Sequence, residues 1–128
     1  MRVSLTKGPW LFIVLSLAGM AELLYTTHTG PGVSPDSVQY IYAARTFAEG
    51  RGFLSIYEDG WNGAATHYPP GYPVALAVAA FFTPGGSLTT AGTALGVLLW
   101  GINLFLVMWL LHRHTRRALL SLIVGFFL

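Results

Sequence analysis

The chain has 128 residues, of which 54% are hydrophobic and only 9% are charged, whereas soluble globular proteins carry about 25% charged residues. Seven Lys and Arg face five Asp and Glu, so the pI near 9.2 reflects a shortage of acids rather than a basic patch. This balance excludes a solvated globule, a disordered tail and a nucleic-acid-binding protein. The lack of cysteine excludes disulfides and Cys-based zinc sites or nucleophiles. The composition therefore predicts a protein that is embedded among membrane lipids.

The first predicted transmembrane span covers residues 10–25 and follows a short basic segment with Arg2 and Lys7. The span is short but adequate, because a transmembrane helix needs about 17 to 25 apolar residues. A cleaved signal peptide, with a small-residue site at Gly19-Met20-Ala21, is an alternative interpretation of this stretch. Further apolar segments follow, so we expect a membrane-embedded chain under either interpretation.

Residues 26–70 form a long loop that contains its own helix. Ser34 and Pro35 mark the start of that helix as the N-cap and the first helical residue. Asp36 lies in its first turn, and Gly50 ends it. The helix is largely apolar with a few charges, which predicts that it is amphipathic and lies at the membrane interface.

The sequence of the second half of the loop predicts less regular structure. Residues 53–57 could form a short strand, and residues 58–60 a turn. The string H-Y-P-P-G-Y-P at residues 67–73 then predicts a rigid entry into the bilayer. Consecutive prolines keep the backbone extended, and the two tyrosines suit the aromatic belt at the interface.

Three apolar segments follow, at residues 72–86, at residues 88–111 and from residue 118 onward. The segment 88–111 is the strongest predicted span because it has no charged residue. Gly92 and Gly96 form a G-x-x-x-G pattern in it, which we interpret as a site of intramolecular helix packing. The last segment reaches the end of the sequence without a polar tail. We therefore interpret the chain as the N-terminal part of a longer polytopic protein.

The distribution of basic residues predicts which side of the membrane each loop occupies. With the basic N-terminus in the cytoplasm, the loop 26–70 is extracytoplasmic. The same rule places the basic connector 112–117 in the cytoplasm, which requires two crossings before it and makes segment 72–86 re-entrant. Three crossings place the connector outside. We favour three, because the first helix often dominates orientation.

The loop contains the string P-D-S-V-Q-Y-I-Y-A-A-R-T-F-A-E-G-R-G-F, followed by Y-P-P-G-Y-P-V-A-L-A. Over roughly residues 10–117 the chain resembles the N-terminal part of the GT-C membrane glycosyltransferases. It is similar in particular to the protein-mannosyltransferase and aminoarabinose-transferase-like group, including the bacterial RgtA/B/C/D-like domains.

Three features of the loop match the pattern of that family. Asp36 matches the acidic position of the first extracytoplasmic loop, and Tyr40 begins the Y-x-x-x-A sequence that follows it. Pro69 and Pro70 match the proline pair before the next span. One position departs from the pattern, since Ser37 follows Asp36 where many members carry a second acid.

The resemblance implies an all-α polytopic enzyme, a hexosyl or pentosyl transferase of the plasma or inner membrane. It would move a sugar from a polyprenyl-phosphate donor to an extracytoplasmic lipid, glycan or protein. Asp36 would act as the general base, and Tyr40, Arg45, Arg51 and His67 are candidates for substrate binding, the arginines because guanidinium suits phosphate. A divalent metal could take part, but the sequence has no visible cluster of metal ligands. The sugar, the acceptor and the oligomeric state stay open.

Two other classes of protein remain as alternatives, a transporter subunit and a structural subunit of a membrane complex. A transport path needs polar groups along its spans, and segment 88–111 offers only Thr and Asn103 as polar side chains. Each candidate residue also has a non-catalytic interpretation. Asp36 could simply stabilise a helix start, Arg45 and Arg51 could reach lipid headgroups, and His67 could be solvated.

Overall fold

A computed structural model of the protein describes residues 8–56, 63–65 and 68–127. This part of the chain is all-helical, which confirms the all-α part of the predicted fold class. Its α-helices are α1 (Gly8–Thr26), α2 (Pro35–Ala48), α3 (Gly71–Ala80), α4 (Leu88–Thr115) and α5 (Ala118–Phe127). The described residues form two compact units: a terminal unit of residues 8–28 and 96–127, and a central unit of residues 29–95.

The terminal unit packs α1 and α5 with the second half of α4. Its core contains three buried side chains: Phe12, Leu104 and Met108. Three glycines lie where its helices approach one another: Gly19 against Leu104, Gly101 against Met20 and Gly125 against Met108. A Cβ atom added at Gly19 would come within 2.6 Å of Leu104 Cδ1, the end of a flexible side chain, so that side chain would have to shift. Small residues at helix crossings are typical of membrane helix packing.

Among the described residues, α4 is the one helix long and apolar enough to cross a membrane. It has 28 residues and a mean hydropathy of 2.2 in its most apolar window, and it rises about 42 Å at 1.5 Å per residue. Only 22% of that window is buried, whereas the core helix of a soluble protein is mostly buried. The other apolar helices are shorter: Trp10–Thr26, Gly71–Ala80 and Ala118–Phe127.

The central unit packs α2 against α3, and the first turns of α4 contribute to the same core. Its core consists of small side chains around one leucine: Ala44, Leu76, Ala77, Ala80 and Ala91. Gly92 contributes to this packing, because an added Cβ would touch Leu76 at 3.6 Å, whereas a Cβ at Gly96 would meet open space. Intramolecular packing at the G-x-x-x-G pattern is therefore confirmed for its first glycine alone.

Local signals at both ends of α2 explain why the predicted helix forms. The Ser34 hydroxyl accepts a hydrogen bond from the Ser37 backbone N–H at 3.2 Å, as an N-cap should. At the other end, Gly50 has a φ of +74°. The Gly50 amide donates to the Phe47 carbonyl, and the next amide donates to the Thr46 carbonyl, both at 2.9 Å. This Schellman arrangement ends the helix where glycine predicted.

The expected span over residues 72–86 is not one continuous helix. α3 ends at Ala80, and a single turn of 3-10 helix follows at Pro84–Gly86, with Gly85 at a φ of +67°. Proline lacks the N–H that an α-helix needs, and a left-handed glycine cannot continue one. α3 alone rises about 15 Å, which is half of the roughly 30 Å hydrocarbon core.

The expected strand over residues 53–57 reduces, in the described part of the loop, to one antiparallel bridge between Leu54 and Ala64. Two backbone hydrogen bonds of 2.8 Å frame that bridge, from Ser55 to Gly63 and from Ala65 to Phe53. The predicted turn at residues 58–60 lies outside the described residues. A bridge of this size cannot hold the loop in place by itself, so side chains of α2 must contribute.

Candidate functional site

Asp36 lies exposed in the first turn of α2, and its carboxylate is bound to a distant part of the loop. The Tyr68 hydroxyl donates a hydrogen bond to Asp36 Oδ1 at 2.9 Å, across 32 residues of sequence. The start of a helix favours a carboxylate, because unpaired backbone N–H groups and the helix dipole present positive charge there. The predicted base therefore lies directly beside the residue that precedes the proline pair.

Tyr40 joins Asp36 at one end of α2, because residues four apart share a helix face. Its ring packs edge-on against Tyr68, with centroids 5.2 Å apart and an interplanar angle of 79°. It packs in the same way against Tyr72, at 5.2 Å and 80°. We call Tyr40, Tyr68 and Tyr72 the tyrosine cluster. Tyr40 thus contacts the surroundings of Asp36, and it does so as a packing residue between two other rings.

Arg45 lies elsewhere on the helix. It comes nine positions after Asp36, which corresponds to about 13 Å along the axis and half a turn around it. It lines an open groove of about 500 Å³ in the central unit. Residues of α2, of α3, of the turn before α4 and of the start of α4 also line that groove, among them Ile41, Ala77, Gly85, Ser87 and Thr89. Asp36 and Arg45 therefore do not meet at one centre within this chain.

The two candidate arginines differ in their partners. Arg51 donates from Nε to Glu49 Oε2 at 2.9 Å and forms an ion pair with it, and this hydrogen bond raises the pKa of the Arg51 guanidinium. Both side chains are half exposed, and such pairs contribute little to stability. Within the described part of the chain, no carboxylate pairs with Arg45. Arg45 is therefore the more available of the two cations for a phosphate.

His67 lies outside the described residues, so its predicted role stays a prediction. Among the residues that the structure describes, no three or more His, Cys, Asp and Glu side chains are grouped so that they could hold a metal ion. A divalent metal is therefore neither assigned nor excluded. Sequence reasoning assigned Tyr68 and Tyr72 to an aromatic belt and missed the contact with Asp36. The only signal was the tyrosine before two prolines, since no local spacing reveals a pairing over 32 residues.

Comparison of the chain with protein-family models, with curated proteins and with solved structures gives no match.

Proposed function

We propose that the protein is a membrane glycosyltransferase of the GT-C type, which transfers a sugar from a polyprenyl-phosphate donor to an extracytoplasmic acceptor. The observation that carries the proposal is the hydrogen bond between Asp36 and Tyr68. It joins two parts of the family pattern that are far apart in sequence, the acid of the first loop and the segment of the proline pair. A loop that only connected two spans would not need to bring them together.

Sugar transfer from a polyprenyl-phosphate donor needs one general base at this position. Asp36 takes the proton of the acceptor hydroxyl, and the acceptor oxygen forms a bond to the anomeric carbon of the sugar. The bond between that carbon and the phosphate oxygen breaks, and the electron pair leaves with the phosphate. Phosphate is already a good leaving group, so no second carboxylic acid has to protonate it. This differs from glycoside hydrolysis, which uses two carboxyl groups.

The role of Arg45 is a second part of the proposal. Arg45 has no carboxylate partner among the described residues and lines a groove of about 500 Å³, which supports it as an anion-binding residue. The roughly 13 Å between Arg45 and Asp36 along α2 argues against its contact with the phosphate that leaves during transfer. We assign to Arg45 the binding of a phosphate at the membrane surface, on the other face of α2.

We infer that the chain crosses the membrane twice before the connector 112–117, in place of the three crossings favoured from the sequence. The crossings are α4 and the shorter α1, whose 19 residues rise roughly 28 Å. α3 has 10 residues and covers only about half of the hydrocarbon core. Two crossings also place the basic connector in the cytoplasm, in agreement with the positive-inside rule. The loop that carries Asp36 is then extracytoplasmic.

Cysteine labelling tests this topology, because the native chain has no cysteine. Thr29→Cys should react with a membrane-impermeant thiol reagent added outside intact cells. His114→Cys in the connector should react only after the membrane is permeabilised. Labelling of His114→Cys from outside would indicate three crossings, and protection of Thr29→Cys in intact cells would contradict the extracytoplasmic loop.

The function itself is tested by sugar transfer in membranes that contain the protein. A polyprenyl phosphate carrying a radiolabelled sugar serves as the donor, and incorporation into membrane lipid, glycan and protein fractions is measured. We expect transfer above that of membranes without the protein, and loss of this transfer in Asp36→Asn. Normal transfer by Asp36→Asn, at equal amounts of inserted protein, would remove the assignment of Asp36 as base.

A further inference from the structure

The hydrogen bond to Asp36 uses one of its two carboxylate oxygens. Oδ1 accepts from the Tyr68 hydroxyl at 2.9 Å, and no described residue donates to Oδ2. A tyrosine hydroxyl has a single proton to donate, and a carboxylate has two oxygens that can accept. The interaction therefore distinguishes the two oxygens, leaving Oδ2 open to accept a proton.

The Tyr68 ring is held by packing that does not depend on Asp36. It meets the Tyr40 ring edge-on at 5.2 Å, and Tyr40 is itself packed against Tyr72 at the same distance. Pro69 and Pro70 follow Tyr68 directly, and their fixed φ angles restrict the backbone next to it. Tyr68 is thus a fixed donor, whereas Asp36 is an exposed side chain that would otherwise rotate freely.

We propose that Tyr68 is a positioning residue, which holds Asp36 Oδ1 so that Oδ2 is oriented toward the acceptor hydroxyl. This inference rests on the proposed function of Asp36 as the base. A general base works only within hydrogen-bond reach of the proton that it removes, so its orientation decides the rate. Tyr68 does not exchange a proton with the substrate. It acts on the reaction through Asp36.

The test is Tyr68→Phe, which deletes the hydroxyl and keeps the ring that packs against Tyr40. Its kcat for sugar transfer should fall by about 10- to 100-fold, the size expected when a reacting group is misplaced by about 1 Å. The KM for the donor should stay unchanged, because no contact with the donor is removed. Tyr25→Phe, the same deletion at an exposed tyrosine of α1, should leave kcat at the native value.

The double variant with Tyr68→Phe and Asp36→Asn distinguishes a positioning role of Tyr68 from a purely structural one. If Tyr68 acts through Asp36, then adding Tyr68→Phe to Asp36→Asn should not lower the residual rate further. An equal factor in both backgrounds, or a native kcat for Tyr68→Phe alone, would overturn the positioning role while Asp36 stays the base. Normal transfer by Asp36→Asn would instead contradict the proposed base and, with it, this inference.

Discussion

Asp36→Asn is expected to lower sugar transfer by about 10²- to 10⁴-fold, which is the usual contribution of a positioned general base. The amide has nearly the size of the carboxylate, but it cannot accept the proton of the acceptor hydroxyl. Its carbonyl oxygen can still accept the hydrogen bond from Tyr68, so the packing of the tyrosine cluster should persist. The drop in rate therefore reports on chemistry rather than on a rearranged loop.

The same substitution has a small expected effect if Asp36 only stabilises the start of α2. Loss of its interaction with the helix dipole would then cost about 0.3 to 1 kcal/mol of stability and leave turnover intact. Asp59→Asn is the matched control, because it makes the same chemical change in the same loop and Asp59 has no assigned role. Transfer is measured in membranes and normalised to the amount of inserted protein.

The parts of the fold that the sequence predicted well are those with local causes. Ser34, Pro35 and Gly50 act within one helical turn of where they stand, so the bounds of α2 follow from them. The start of α4 at Leu88 likewise follows from a continuous uncharged run after a pair of glycines. α3 was overestimated because hydropathy counts the apolar residues beyond Ala80, whereas Pro84 and Gly85 decide where the chain turns.

The candidate site was predictable only in part, because its central contact is not local. The pairing of Asp36 with Tyr68 depends on how the loop folds back onto α2, and no pattern in the sequence specifies it. The separation of Asp36 from Arg45, in contrast, could be predicted from the sequence. Nine positions at about 100° per residue place two residues on opposite faces of a helix, so helical geometry alone already argued against a shared centre for this pair.

The loop is held against α2 by two buried polar side chains, Gln39 and Thr46. Gln39 Nε2 donates to the Leu54 carbonyl at 3.2 Å, and its Oε1 accepts from the Ile56 backbone N–H at 2.9 Å. Thr46 Oγ1 donates to the Gly52 carbonyl at 2.8 Å and accepts from the Leu54 backbone N–H at 3.2 Å. Each side chain thus satisfies backbone groups of a segment that has only one β-bridge of its own.

Gln39→Met and Thr46→Val should each release a different part of this segment. Both changes nearly keep the volume of the side chain but remove its hydrogen bonds to partly buried backbone groups, and leaving such a group unpaired costs up to about 1 to 3 kcal/mol. Gln39→Met should therefore speed hydrogen exchange of the Ile56 amide by about 10- to 100-fold, with a smaller effect on the Leu54 amide. Thr46→Val should show the reverse order, with the Leu54 amide affected most.

The two variants serve as controls for each other, because each removes one of the two side chains that anchor the same loop segment to α2. Equal acceleration of both amides in both variants would mean that the segment opens as a single unit, and the side chains would then not act as separate anchors. Because Gln39 and Thr46 bind residues 52–56 and not the tyrosine cluster, either variant should keep more transfer activity than Asp36→Asn at equal amounts of inserted protein. A loss as large as that of Asp36→Asn would mean that the position of the base depends on the whole loop, rather than on the single contact with Tyr68.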